Sequence, residues 1–116
     1  MNTLFILNDP PYGSERSYNA LRLAGALAKR EREAVRVFLM GDAAACAKTR
    51  QAVPNGYYNL GRMLQALALK RAPMGVCGSC MDARGLDCGE LVEGVHRSGL
   101  EELTDWTQWA DKVVVF

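Results

Sequence analysis

The side chains in this sequence with the widest chemical reach are its thiols, and two of the four cysteines stand close together in Cys77-Gly78-Ser79-Cys80. The thiolate is the nucleophile. An ordinary thiol near pKa 8.5 is only about a tenth ionised at pH 7.5, and lowering its pKa by roughly two units raises that to about nine-tenths. The C-x-x-C spacing is open to three chemistries. Cys77 and Cys80 could form a reversible disulfide, with Cys80 resolving whatever Cys77 becomes. They could be half of a zinc site. Cys77 could instead carry sulfur as a persulfide, which spacing alone does not separate from the first reading. A structural zinc site usually needs four ligands in paired spacing. The remaining candidates, Cys46, Cys88 and His96, form neither a second C-x-x-C nor an H-x-x-x-H. No metal is expected.

Reactive side chains need elements to hold them, and short apolar runs alternate with longer helical ones. Thr3 to Leu7 reads as a buried strand that ends at the loop Asn8-Asp9-Pro10-Pro11-Tyr12-Gly13, where two prolines fix φ and lack N–H donors. Ser14 is the expected N-cap of the next helix, whose apolar face carries Tyr18, Leu21, Ala24 and Ala28. Ala34 to Met40 is nearly continuously apolar, as in a parallel sheet covered on both faces. Gly41-Asp42 closes that strand, a short helix over Ala43 to Lys48 follows, and Pro54-Asn55-Gly56 marks a loop. A third helix carries Leu60, Met63, Leu64 and Leu67, and Pro73 to Val76 is a strand that delivers Cys77. Asp87 with Glu90 and Ser98 with Glu101 have capping-box spacing, placing helix starts near Cys88 and Gly99. Val95 to Ser98 is a weakly marked strand, and Val113 to Phe116 is a final one.

This rhythm predicts right-handed βαβ units in a single α/β domain over residues 1–116: a three-layer α/β/α sandwich with about five mostly parallel strands, Rossmann-like or flavodoxin-like in layering. Ligands of such sheets bind where loops leave the carboxyl ends of strands. Those ends hold Asn8 and Asp9, then Gly41 and Asp42, then Cys77 to Cys80, then His96 and Arg97. Backbone N–H groups beyond the strand would favour a Cys77 thiolate, and Arg84 could add positive charge. Cys46, among alanines, reads as core, and Cys88 as an incidental first-turn residue. His96 is a surface group or an acid/base or substrate group. Asp9 and Asp42 read first as turn and capping carboxylates, and Tyr57, Tyr58, Trp106 and Trp109 as core or subunit contacts. Gly75, Gly78 and Gly85 make neither G-x-G-x-x-G nor a P-loop, so no nucleotide or other cofactor is implied.

Composition narrows the classes further. The formal net charge is +1, and runs such as Lys29-Arg30-Glu31-Arg32-Glu33 interleave both signs, which excludes a nucleic-acid stripe. No stretch approaches the roughly 20 apolar residues of a membrane span, and the apolar run Leu4 to Leu7 is too short for a signal peptide. A cytoplasmic protein with reduced thiols is expected.

Around Cys77-Gly78-Ser79-Cys80-Met81-Asp82-Ala83-Arg84-Gly85 the sequence resembles the DsrE/DsrF-like family, whose members carry a cysteine after the third strand, then small residues and Arg-Gly. The opening Leu4 to Gly13, the segment Phe38 to Ala43 and the closing Ala110 to Phe116 extend the resemblance over nearly the whole chain. It implies a homo-oligomer, often a trimer or hexamer, and a cytosolic sulfur relay in which Cys77 accepts persulfide sulfur from a donor protein and passes it to an acceptor. Cys80 departs from the sulfur-relay members, which have a small residue there. The leading expectation is therefore a sulfur carrier or sulfurtransferase using Cys77 and Cys80, with Asn8, Asp9, Gly41, Asp42, Arg84 and His96 as candidate substrate-binding residues. The rivals are a C-x-x-C thiol–disulfide redox protein and a non-catalytic oligomeric protein that binds a small molecule.

Overall fold

The computed structural model describes residues 1–116. Its five strands are β1 (Asn2–Leu7), β2 (Ala34–Leu39), β3 (Met74–Cys77), β4 (Val95–Ser98) and β5 (Lys112–Val115). They form one sheet in the order β4-β3-β2-β1-β5, and every pairing is parallel. The helices are α1 (Arg16–Ala28), α2 (Leu60–Leu69), α3 (Gly78–Ala83) and α4 (Leu100–Trp109), with 3₁₀ segments at Gly41–Ala47 and Cys88–Glu90.

Strand alternation divides the core. Phe5, Leu7, Val37, Leu39, Met74 and Val76 point to one face, where Ala20, Leu21 and Ala24 of α1 and Leu60, Leu64 and Leu67 of α2 cover them. Leu4 and Phe38 point to the other face and pack against Trp106 of α4. Because α4 is the only helix on that face, Val113 and Val115 of β5 are left exposed. Cys77 belongs to this thinly covered face, packed against the Leu4, Phe38 and Trp106 cluster as Ile6, Met40 and Leu103 are.

Several boundaries differ from the sequence reading for identifiable reasons. Ser14 lies one residue before the cap position of α1, which falls to Glu15 without a side-chain bond; the Ser14 hydroxyl donates to the Asp9 carboxylate and accepts the Arg16 N–H at 3.3 Å. The helix expected from Ala43 is a 3₁₀ segment that starts at Gly41. The Asp87–Glu90 capping box is present but encloses a single 3₁₀ turn. The Ser98–Glu101 box is absent: Gly99 occupies the cap position of α4, and the Ser98 hydroxyl donates to Glu102 instead.

Gly94 precedes β4 at φ +95°, and a Cβ built there meets the Ala68 Cβ at 2.4 Å. Gly94→Ala combines a left-handed backbone with a collision against α2. It should lower stability by about 2 kcal/mol, read as the shift in the urea unfolding midpoint.

Candidate functional site

β3 turns directly into α3 at Cys77, its last residue, so Cys77 sits at the carboxyl edge of the sheet with α3 starting immediately beyond it. The Cys77 Sγ lies 3.3 Å from the Ser79 hydroxyl. Burial alone would push the Cys77 thiol up. Hydrogen bonds from the Cys80 thiol, the Ser79 hydroxyl and the backbone N–H groups of Cys80 and Ser79 outweigh it and hold Cys77 below the ordinary thiol range. The partner moves the other way. Burial raises the Cys80 thiol, and acting as hydrogen-bond donor toward Cys77 raises it further, against the opposing Gly41 N–H and Arg84 charge. The two thiols are thus made unequal, Cys77 the more acidic and Cys80 the less.

The exit of β2 builds the second wall. Gly41 takes φ +58°, a left-handed turn suited to glycine, and its N–H donates to the Cys80 Sγ at 3.1 Å. Next to it, Asp42 Oδ1 accepts from Arg84 Nε at 3.1 Å and Nη2 at 2.8 Å, while Arg84 Nη1 donates to the Cys80 carbonyl at 3.1 Å. Arg84 therefore ties α3 to the β2 exit, and its charge acts on Cys80 rather than on Cys77.

The third wall comes from β4. Arg97 donates to both Asp82 oxygens, at 2.8 and 2.9 Å, and its guanidinium passes over Gly78, where a Cβ would meet it at 2.8 Å. The sequence placed Arg97 at the sheet edge without giving it a role; the absent side chain at Gly78 is the signal that a neighbour crosses there. His96 lies two residues before Ser98, the register partner of Cys77. Its imidazole is hydrogen-bonded to Glu102 Oε1, which also accepts the Ser98 hydroxyl at 2.6 Å. Burial opposes the Glu102 carboxylate, but the Ser98 and His96 hydrogen bonds hold its pKa below the usual carboxylate range. Sequence reading missed Glu102, and its only trace is Gly75, whose bare Cα makes room for it: a Cβ there would lie 3.3 Å from Glu102 Oε1 and 3.0 Å from the Ser98 Cβ.

Gly41, Asp42, Arg84, Cys77 and Cys80 thus form one connected group, with His96 on the adjoining strand. Asn8 and Asp9 bond elsewhere. The Asn8 amide donates to the Phe116 carbonyl, and Asp9 holds Ser14 with its carboxylate and Ser17 with its carbonyl. Cys46 is fully buried and pushed up to about 12, chiefly by burial. Cys88 is exposed at the start of its 3₁₀ turn. No group of three or more His, Cys, Asp or Glu residues is arranged to hold a metal ion.

The family model for the DsrE/DsrF-like family matches residues 1–116, the whole of this all-parallel five-stranded sheet and its helices. The chain belongs to the DsrE/DsrF-like family. It is 41% identical over 114 residues to protein YchN of Escherichia coli strain K12, covering 97% of each chain. It is 34% identical over 116 residues to the uncharacterized protein MJ0989 of Methanocaldococcus jannaschii, covering all of both. The crystal structure of the E. coli YchN protein superposes with a TM-score of 0.91 at 40% identity, covering 99% of this chain and 98% of that one. The protein of unknown function MTH1491 from Methanobacterium thermoautotrophicum shares the fold, with a TM-score of 0.76 at 14% identity over 99% of this chain and 98% of its own. In this DsrE/DsrF-like chain the α/β sandwich expected from the sequence is present, and its strands are all parallel.

The thiol environments predict an order of alkylation. At neutral pH iodoacetamide should modify Cys77 well before Cys80, and Cys46 should stay unmodified until the protein unfolds. Cys80→Ala removes the thiol donor and should move the Cys77 pH–rate profile upward, as followed by peptide mass spectrometry.

Proposed function

We propose that this protein is a sulfur carrier of the sulfurtransferase type, with Cys77 as the atom that accepts and releases sulfane sulfur. The observation that carries the reading is the place of Cys77 at the carboxyl edge of the sheet, with the Ser79 hydroxyl 3.3 Å from its sulfur; the downward push on its pKa supports it. Membership of a family with sulfur-relay members supports it. The Cys77 thiolate attacks the outer sulfur of a donor persulfide R–S–SH. The donor S–S bond breaks, R–S⁻ leaves, and Cys77 holds Cys77–S–SH. An acceptor thiolate then takes the outer sulfur and restores the Cys77 thiolate. Arg84 and Asp42 keep the Cys80 wall in register during both steps.

Cys80 gives the carrier a second exit. Attack of the Cys80 thiolate on the Cys77 sulfur expels hydrosulfide and leaves a Cys77–Cys80 disulfide. The same pair supports the thiol–disulfide reading, in which no persulfide stage exists. Either chemistry needs reduced thiols at rest and so suits the cytosol. No helix is long and apolar enough to cross a membrane.

Incubation with a persulfide donor should add the mass of one sulfur atom to the Cys77 peptide. Cys77→Ser should abolish the gain, and Cys80→Ser should lengthen the lifetime of the adduct. If no Cys77 peptide gains sulfur while a Cys77–Cys80 disulfide titrates with a cytosolic-range potential, the redox reading replaces this one.

A homo-oligomer of trimer or hexamer size belongs to the same proposal. Edge strand β5 leaves Val113 43% and Val115 62% exposed, on the same face as Cys77. Multi-angle light scattering measures the assembly directly, and a monomer at micromolar concentration refutes it.

A further inference from the structure

Sulfur exchange at Cys77 leaves open what kind of molecule brings the sulfur or takes it away. Two arginines stand at the same edge of the sheet, and they are engaged differently. Arg84 has Nε and Nη2 on Asp42 and Nη1 on the Cys80 carbonyl, so every nitrogen of its guanidinium is held within the chain. Arg97 meets Asp82 end-on, with one bond from each terminal nitrogen at 2.8 and 2.9 Å, and its Nε–H makes no hydrogen bond. A guanidinium carries five N–H donors in a planar fork, so the Nε–H and the neighbouring Nη2 hydrogen stay free. The pair is open to water, with the Asp82 side chain 66% exposed.

Gly78 fixes where that free side of the fork lies. A Cβ built on Gly78 would stand 2.8 Å from Cζ, 2.8 Å from Nε and 2.9 Å from Nη2 of Arg97. Distances so nearly equal require the guanidinium to lie flat over the glycine, with its N–H groups directed sideways in that plane. Gly78 follows Cys77 directly. Across the trans peptide between them, the Arg97 Cζ is no more than about 8 Å from the Cys77 Cα. In the ladder Ser98 faces Cys77 and Arg97 faces Val76, so the thiol and the guanidinium leave the sheet on opposite faces and flank its edge. Asp82, by hydrogen bonding and then by charge, raises the Arg97 pKa against desolvation, and the Cys88 and Cys77 charges add to the rise, so both thiols act on this cation. The edge therefore offers a sulfur nucleophile on one side and half of a cationic fork on the other. A molecule a few bonds long, with sulfur at one end and a carboxylate at the other, meets both.

We propose that Arg97 anchors the carboxylate of the molecule that exchanges sulfur with Cys77, so that the site selects small carboxylate-bearing thiols and their persulfides. This rests on the sulfur-transfer reading above and names its substrate class. The carboxylate takes the free Nε and Nη2 hydrogens while Asp82 keeps the other side of the fork. Held by that end, a donor persulfide presents its outer sulfur to the Cys77 thiolate, and the R–S⁻ that leaves is the carboxylate-bearing thiolate. Delivery is the same exchange reversed, with the acceptor thiolate taking the outer sulfur of Cys77–S–SH. No bond forms or breaks at Arg97 in either direction. A side chain at Gly78 would displace the guanidinium from this position.

The test uses full-length protein carrying Cys80→Ser and Cys88→Ser, with Cys77 capped as a mixed disulfide with 2-thiopyridine, an uncharged cap. At neutral pH the cap is displaced by 3-mercaptopropionate and, in parallel, by 2-mercaptoethanol, and the ratio of the two rates is read from the released thiopyridone. Comparing that ratio between proteins cancels the acidity of each thiol. Arg97→Gln should lower the ratio about threefold or more. Asp82→Asn should raise it, because the whole fork is then free. Lys29→Gln, an equal loss of charge at the C-terminal end of α1, should leave it unchanged. Arg97→Lys keeps the charge without the fork; it should give an intermediate ratio and serves as the second variant if Arg97→Gln does not fold. A ratio that the Arg97 variants leave unmoved, equal slowing with both thiols, or an equal fall in Lys29→Gln overturns the assignment. Displacing the cap is ordinary thiol–disulfide exchange and proceeds whether or not Cys77 ever holds sulfane sulfur. Absence of sulfur uptake therefore refutes the proposed function alone, and an unmoved ratio refutes this inference alone.

Discussion

Much of the site follows from two thiols set three residues apart where β3 turns into α3. Their ionisations are pushed in opposite directions, Cys77 down and Cys80 up, each thiol acting on the other. A second negative charge beside the first is costly in a half-buried setting, so ionising one thiol secures the proton of the other. Which sulfur keeps the charge is decided by backbone geometry. The N–H groups of Ser79 and Cys80 lower the Cys77 thiol, while Cys80 has the Gly41 N–H and the diffuse charge of Arg84. The asymmetry gives two chemically identical side chains different acidities.

That asymmetry depends on the sheet. Parallel strands bring the β2 exit, α3 and the end of β4 to the same edge, so that Asp42, Arg84, Asp82 and Arg97 close around Cys77-Gly78-Ser79-Cys80 as two ion pairs. Exposed ion pairs contribute little to stability. Their value here is positional, because each fixes a segment that presents an N–H group or a sulfur. Strand alternation then sends Cys77 to the α4 face, while Cys80 packs against the larger core beneath α1 and α2.

The sequence makes the layering legible because each strand is a short apolar run and each helix an amphipathic one, and the two periods do not imitate each other. It places Cys77 correctly because a cysteine after an apolar run of strand length must fall near a strand end. It also reads Cys46 correctly, since a thiol among alanines has no polar partner in sequence and becomes core. The contacts that shape the site are less accessible. Arg84 meets Asp42 across 42 positions, and Arg97 meets Asp82 across 15, so strand order decides both pairs and local spacing decides neither. Ser98 has the right distance from Glu101 for a capping box, yet Gly75 on the adjacent strand opens a better site for Glu102. Ser14 bonds both Asp9, across the proline-bearing loop, and the Arg16 N–H at the start of α1, one residue before the cap position.

The placement of β5 has a consequence for how the chain reaches this state. Residues Lys112 to Val115 align with Thr3 to Ile6, and the loop between them contains every other element. Closing a contact of that span carries a large entropic penalty until the intervening segments are ordered. The β1–β2–β3 portion can form from contacts of moderate separation, but one side of β1 has no neighbour until β5 joins it. Until then the folding chain holds an open, strongly apolar sheet edge, which is the form in which it is most exposed to misassociation.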